Sequence, residues 1–237
     1  MNKKKIGILD SGIGGLTTLD EIIKLLPNED YIYYADSKNN PYGDKSDKKL
    51  FNIVDNIVQK FLLEDVKMIV IACNTATTKC IDKLREKYPE VVFVGTEPAV
   101  KVACDNNYKN TLVMATPTTI ESERLNELIC EYKKEDQSFI LCSCEGLANA
   151  IERRDIETID NLLEKYLHPF VYANIDAVVL GCTHYPLIAD KIKSRLRKPK
   201  ILDGNKGVAK RVKELLTKYD MLNDSKKPGT IKFVKNE

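Results

Sequence analysis

The sequence predicts an α/β protein of two similar halves, each built on a mostly parallel sheet, and three observations carry that reading. Short β-branched apolar runs alternate with segments of helical period along the chain. Two of those runs end in the same grammar: IVIA leads into Cys73, Asn74 and Thr75, and AVVLG leads into Cys182, Thr183 and His184. Near residue 110 the chain also starts over, and the interval from Asp10 to Cys73 nearly equals that from Thr116 to Cys182. Two such halves, related by a pseudo-two-fold, are expected to face one another across a cleft that holds the active site. The expected domains are 1–97 with 205–237, and 98–204.

Taken in order, KIGILD (5–10) reads as a first strand, closed by Asp10 and a glycine-rich turn through Gly15. A dinucleotide fingerprint is excluded there, because Thr17 stands where its third glycine would fall. What remains is a turn through which backbone can approach a ligand, before a helix start that favours an anion. The helical pattern from Leu16 stops at Pro27. DYIYYAD (30–36) reads as a second strand, and Pro41-Tyr42-Gly43 punctuates the loop after it. From the residues alone, Tyr42 is either a core anchor or a loop hydroxyl offered to substrate. A helix over 47–65, the strand ending at Cys73, a helix over 78–88 and a strand over 91–100 complete the first half.

In the second half, TLVMA (from 111) and QSFILCSCEG (137–146) read as strands, and residues 148–170 as largely helical. The run ending at Cys182 then leads into another helix. Residues 198–222 offer one more strand and a helix, and the polar tail a short edge strand or a frayed end.

Composition narrows the function. A hydrophobic share of 43%, a charged share of 30% and a net charge of +2 describe an ordinary soluble domain with no strong field for nucleic acid or membrane. The basic opening is followed by no apolar stretch of signal or spanning length, so a cytoplasmic location is expected. Seven scattered cysteines leave at least one thiol unpaired, and reduced thiols are the expectation. With two histidines and no C-x-x-C, no metal site is expected.

A buried cysteine alone is usually a small apolar residue. Two in matched strand-end contexts point to chemistry, because open α/β sheets bind ligands at the carboxyl ends of their strands. Inverting a carbon centre without a cofactor needs a base on one face and an acid on the other, and a thiol with a pKa of about 8.5 is readily tuned for both. Asp10 on an adjacent strand end can assist Cys73, and His184 can assist Cys182. Asn74, Thr75 and Thr183 supply neutral donors.

The motifs DSGIGG (10–15), PYG (41–43), CNTAT (73–77), EPA (97–99) and GCTHYPLI (181–188) together resemble the glutamate racemases of the cofactor-independent aspartate/glutamate racemase superfamily. The resemblance implies Cys73 and Cys182 as the catalytic pair, with Asp10 and His184 assisting. It implies substrate contacts at Asp10, Ser11, Pro41, Tyr42, Gly43, Asn74, Thr75, Thr183 and His184. The family's helper carboxylate, spaced eight residues after a cysteine, falls on Glu152, although Glu145 and Gly146 replace the usual Pro-Leu. Thr119 takes the place of a substrate-contacting threonine in a turn where Thr118 replaces glycine. The implied activity is interconversion of L- and D-glutamate for peptidoglycan without any cofactor, with aspartate racemase or another small-carboxylate racemase as the alternative. A homodimer is the oligomer the resemblance points to; no nucleic-acid partner is expected. Three other classes are weaker: a pyridoxal enzyme lacks a marked lysine, an amino-acid receptor leaves the paired thiols unexplained, and a cysteine hydrolase leaves Cys73 idle.

Overall fold

The structure, a computed structural model, describes residues 4–236. In chain order its main elements are β1 (Ile6–Asp10), α1 (Leu16–Leu25), β2 (Tyr31–Ala35), α2 (Asp47–Leu63), β3 (Met68–Ile71), α3 (Asn74–Lys87), β4 (Phe93–Gly95), α4 (Val100–Asp105), β5 (Asn110–Ala115), α5 (Pro117–Ile120), α6 (Glu123–Tyr132), β6 (Ser138–Ser143), α7 (Leu147–Glu152), α8 (Ile156–Leu167), β7 (Ala177–Gly181), α9 (Ala189–Arg195), β8 (Lys200–Leu202), α10 (Asn205–Lys218) and β9 (Ile231–Lys235). They form two compact units, residues 1–96 with 205–237, and residues 97–204.

The first unit carries a five-stranded sheet in the order β4-β3-β1-β2-β9, and the second a four-stranded sheet in the order β6-β5-β7-β8. Every described pairing is parallel. Matching β1 to β5, β2 to β6, β3 to β7 and β4 to β8 superposes the two orders. The repeat seen in the sequence is therefore a repeat of topology, and β9 is the first unit's addition. Cys73 and Cys182 follow the equivalent strands β3 and β7.

The strands read as unbroken apolar runs because both faces of each sheet are covered. In β1 and β3, Ile6, Ile8, Met68 and Val70 pack with Leu19 and Ile22 of α1 and Val212 and Leu216 of α10. Leu9, Ile69 and Ile71 face the other way, toward Val54, Ile57 and Phe61 of α2 and Leu84 of α3. The second unit divides likewise: Leu112, Met114, Val178 and Leu180 face Leu163 and Leu167 of α8, while Val113 and Val179 face Ala103 of α4 and Leu125 and Leu128 of α6.

Several boundaries differ from the sequence reading, each for a local reason. The helix after Cys73 starts at once at Asn74, because Cys73 is itself the extended residue at the helix cap. The strand expected over 91–100 shortens to Phe93–Gly95, since the Thr96 N–H leaves the ladder to donate to Thr77 Oγ1 at 3.2 Å. The long helical stretch breaks after Glu152: Arg154 adopts a positive φ, and Asp155 then caps α8 by accepting from the Thr158 N–H at 3.0 Å. Among the described residues no helix is long and apolar enough to cross a membrane.

Candidate active site

In a parallel sheet all strands end at one edge, so the residues just past β1, β2 and β3 are brought together by topology alone. Asp10, Asp36 and Cys73 occupy that edge in the first unit. Asp10 is fully buried, and its Oδ2 accepts from the Gly12 and Gly15 N–H groups at 3.1 and 3.0 Å. The anion that the glycine turn holds is thus the protein's own carboxylate. Gly15 is required by space: a Cβ there would lie 2.6 Å from Asp10 Cβ and 2.8 Å from Tyr33 Oη. Tyr33 Oη in turn donates to the Gly12 carbonyl at 2.8 Å, fixing the turn from behind.

Cys73 is buried, with its Sγ 3.8 Å from Ser11 Oγ. The pairing of Leu9 with Ile71 sets Cys73 beside the end of β1. Cys73 is the extended N-cap residue of α3, so it stands at the amide end of that helix, next in sequence to the buried Asn74 and Thr75. The Asn40 side chain donates to the Ser11 carbonyl at 3.2 Å, joining the 37–43 loop to this cluster. Tyr42 is buried and donates its hydroxyl proton to Asp36 Oδ2 at 2.7 Å. Burial, then the charge of Asp36, pushes the Tyr42 phenol well above its ordinary range. Tyr42 is thus a core anchor whose hydroxyl is already engaged; Pro41 and Gly43 beside it are half-buried.

The second unit presents a different cluster at the equivalent edge. Cys182 is buried, its Sγ 3.9 Å from His184 Nδ1, and His184 Nε2 lies 2.7 Å from Glu152 Oε2. Glu152 reaches the imidazole from the last residue of α7, and only about a tenth of its side chain is exposed. His184 was expected to assist Cys182, and the turn ahead of the short helical stretch at Tyr185–Ile188 sets the two side chains side by side. Thr183 is buried beside them. Ala115 pairs with Gly181, which puts Thr116 next to Cys182. Thr116 caps the short helix α5, its Oγ1 3.1 Å from that of the buried Thr119. Thr118 is not among the residues with positive φ, so this turn needs no glycine there.

Below Cys182, Tyr185 is fully buried and donates to the Cys144 carbonyl at 3.2 Å. Burial and then the neighbouring Cys182 hold the Tyr185 phenol well above its usual range. Cys144 lies with its Sγ 3.7 Å from that of Cys142, and that contact, then burial, pushes the Cys144 thiol far up. The C-x-C pair is thus a packed floor to this cluster. Sequence reasoning missed Asp36, though its signal was the one that marked Asp10: a carboxylate immediately after an apolar strand. Among the described residues no group of three or more His, Cys, Asp or Glu could hold a metal ion.

Comparison with known proteins agrees with this fold. Residues 30–212 match the Asp/Glu/Hydantoin racemase family. The chain is 40% identical over 232 residues to the glutamate racemase of Clostridium acetobutylicum, covering 97% of this chain and 90% of that protein. It is 41% identical over 237 residues to that of Clostridium novyi, with 98% and 91% covered. Among solved structures it is similar to glutamate racemase isoform RacE1 from Bacillus anthracis, with a TM-score of 0.87 at 28% identity over 100% of this chain and 90% of that one. The Francisella tularensis glutamate racemase in complex with D-glutamate gives 0.84 at 30% identity over 100% and 89%. With its two parallel-sheet units, its strand-end cysteines and these relatives, the chain belongs to the Asp/Glu/Hydantoin racemase family, within its glutamate racemases.

Proposed function

We propose that the chain racemises glutamate by a two-base mechanism in which Cys73 and Cys182 address opposite faces of one α-carbon. The observation that carries this is the equivalence of the two thiols: each follows the matching strand of a repeated sheet, and each has polar partners assembled around it. In one direction the Cys73 thiolate takes the α-proton while the Cys182 thiol delivers one from the other side. The reverse reaction exchanges the roles, which is why the same residue type serves on both sides. The protons balance: one is taken from Cα, one is given to it, and the thiol and thiolate have changed places.

The assistants differ. The amide end of α3 favours negative charge at Cys73, and Asp10, held by the Gly12 and Gly15 amides, ends the neighbouring strand. At Cys182 the imidazole, oriented by Glu152, is set to exchange a proton with the thiol. Asn74, Thr75, Thr183 and Thr119 are the donors offered to substrate carboxylates, together with Ser11 and the backbone N–H groups of Tyr42 and Gly43, which Pro41 helps to place. No cofactor takes part. The two compact units are read as the two domains, and the product as cytoplasmic D-glutamate destined for peptidoglycan. Aspartate, one methylene shorter, is the competing substrate; side-by-side rates separate the two. A hydrolase built on Cys182, His184 and Glu152 would leave Cys73 without a task.

The test is incubation of the purified protein with L-glutamate in deuterated water without added cofactor. D-glutamate carrying deuterium at Cα is the expected product; absence of both inversion and exchange overturns the proposal.

A further inference from the structure

Asp36 does more in this structure than the reaction described so far requires. It stands just past β2, fully buried, and side-chain donors from three directions converge on its carboxylate. Tyr42 Oη donates to Oδ2 at 2.7 Å, Asn39 Nδ2 to Oδ1 and Oδ2 at 2.9 and 3.0 Å, and Asn236 Nδ2 to Oδ1 at 2.8 Å. A buried carboxylate is tolerated only when its lone pairs are filled, and here neutral donors fill them. Two of the three belong to the loop that carries Pro41 and Gly43. The third comes from the other end of the sequence.

Register explains how Asn236 arrives. β9 runs parallel to β2 with Tyr31 opposite Ile231 and Ala35 opposite Lys235, so the next pair in line is Asp36 and Asn236. That register is pinned at its start, where the Thr230 N–H and hydroxyl both donate to Asp30 Oδ1 at 2.7 and 2.6 Å. Beyond the strand, the Asn236 N–H donates to the Ala35 carbonyl, and the Lys38 N–H donates to the Asn236 carbonyl, both at 3.0 Å. The Asn236 residue thus grips the start of the loop by backbone and by side chain. Among the described residues nothing equivalent flanks β6 in the second unit, where the sheet ends at that strand.

The bonding also restricts Tyr42. Its only hydroxyl proton is given to Asp36, so toward a ligand its phenol oxygen is an acceptor, and an anion must be met by the loop's backbone. A backbone binds well only if its shape is set in advance.

We propose that Asp36 and Asn236 are positioning residues for substrate: they hold the 37–43 loop in its binding shape before glutamate arrives, and the β9 strand exists to deliver Asn236 to that task. This rests on the reading that Tyr42 and Gly43 meet the substrate.

The test compares wild type with Asn236→Ala, Asn236→Asp and Asp36→Asn by racemisation kinetics and by amide hydrogen exchange over residues 37–45. Asn236→Ala is expected to raise KM about fivefold while kcat stays within about twofold, the size of one lost hydrogen bond expressed in binding. Asn236→Asp is expected to raise KM by about tenfold or more, because it sets a second carboxylate against the first. Both variants should exchange faster over 37–45 and melt close to wild type. Should Asp36→Asn fail to fold, the two Asn236 variants decide the matter. Unchanged KM in both, with or without faster exchange, overturns the proposal, as does unchanged exchange. If wild type fails to racemise glutamate, it is the reaction that is wrong, and exchange over 37–45 still judges the clamp.

Discussion

The two strand-end clusters share a position in the fold and differ in how they support a thiol. Around Cys73 the support is backbone and helix: Asp10 accepts from the amides of Gly12 and Gly15, and Ser11 Oγ lies 3.8 Å from the sulfur. Around Cys182 the support is a side-chain relay, with Nδ1 of His184 3.9 Å from sulfur and Nε2 on Glu152. The lesson is that a duplicated scaffold fixes where a reactive group stands, while its protonation chemistry is set afresh by each neighbourhood. A symmetric reaction does not require symmetric assistance.

Replacing either sulfur is the strongest test of that comparison. Cys73→Ser and Cys182→Ser should each lower kcat by roughly a thousandfold or more, since a serine hydroxyl is a far poorer base, and each should leave folding intact. If one of the two kept near wild-type turnover, the clusters would not be partners in one reaction.

The assistants come next. His184→Ala should lower kcat/KM by about a hundredfold and Glu152→Gln by about tenfold, the latter with a shifted pH profile, because the glutamate acts through the imidazole. Enantiomers are equal in free energy, so kcat/KM must fall equally in both directions. The asymmetry between the clusters has to show elsewhere, in the primary isotope effects of α-deuterated L- and D-glutamate. The direction in which Cys182 abstracts the proton should show the larger effect in His184→Ala; equal effects in both directions would remove the distinction drawn here.

Glycine provides a structural counterpart. Gly15→Ala drives its Cβ to 2.6 Å from Asp10 Cβ, and Gly181→Ala drives its own to 2.8 Å from Ala115 Cβ. Each should cost about 1–3 kcal/mol in urea unfolding, in the range of other overpacked sites. Gly15→Ala should also depress activity beyond its stability cost, because the atom it strikes belongs to Asp10, the proposed assistant of Cys73.

The smallest effect concerns acid. Burial of Asp55 would raise its pKa, but hydrogen bonds from Lys87, Tyr88 and Gln59 outweigh it and hold the carboxyl below its ordinary value. Its folded pKa is depressed, so its stabilisation is complete above the unfolded value of about 3.9 and is lost as pH falls through the folded one. Asp55→Asn should therefore weaken the protein at neutral pH and flatten its stability between about pH 5 and pH 2. An unaltered acid limb in denaturation profiles would show that Asp55 contributes nothing.

Most of the architecture was legible because parallel strands buried on both faces leave unbroken apolar runs, and because the chain writes its motif twice. Cys73, Cys182, Asp10 and His184 could be singled out since each directly ends or follows such a run. Glu152 came only through resemblance, because nothing local shows that α7 ends against His184. Asp36 carried a signal that went unread, but its pairing with Asn236 was illegible for a related reason. Their partnership depends on the register of an edge strand some two hundred residues away, which periodicity does not encode. The short extent of β4 was hidden as well, because Thr77 competes for the Thr96 amide from another element.

The claim that two thiols act on one α-carbon is tested most directly by the timing of isotope entry. With L-glutamate in deuterated water at low conversion, two bases predict that D-glutamate forms almost fully deuterated at Cα while the remaining L-glutamate keeps its protium. Deuterium entering both enantiomers at the same rate from the outset would mean that one base serves both faces, and would contradict the account.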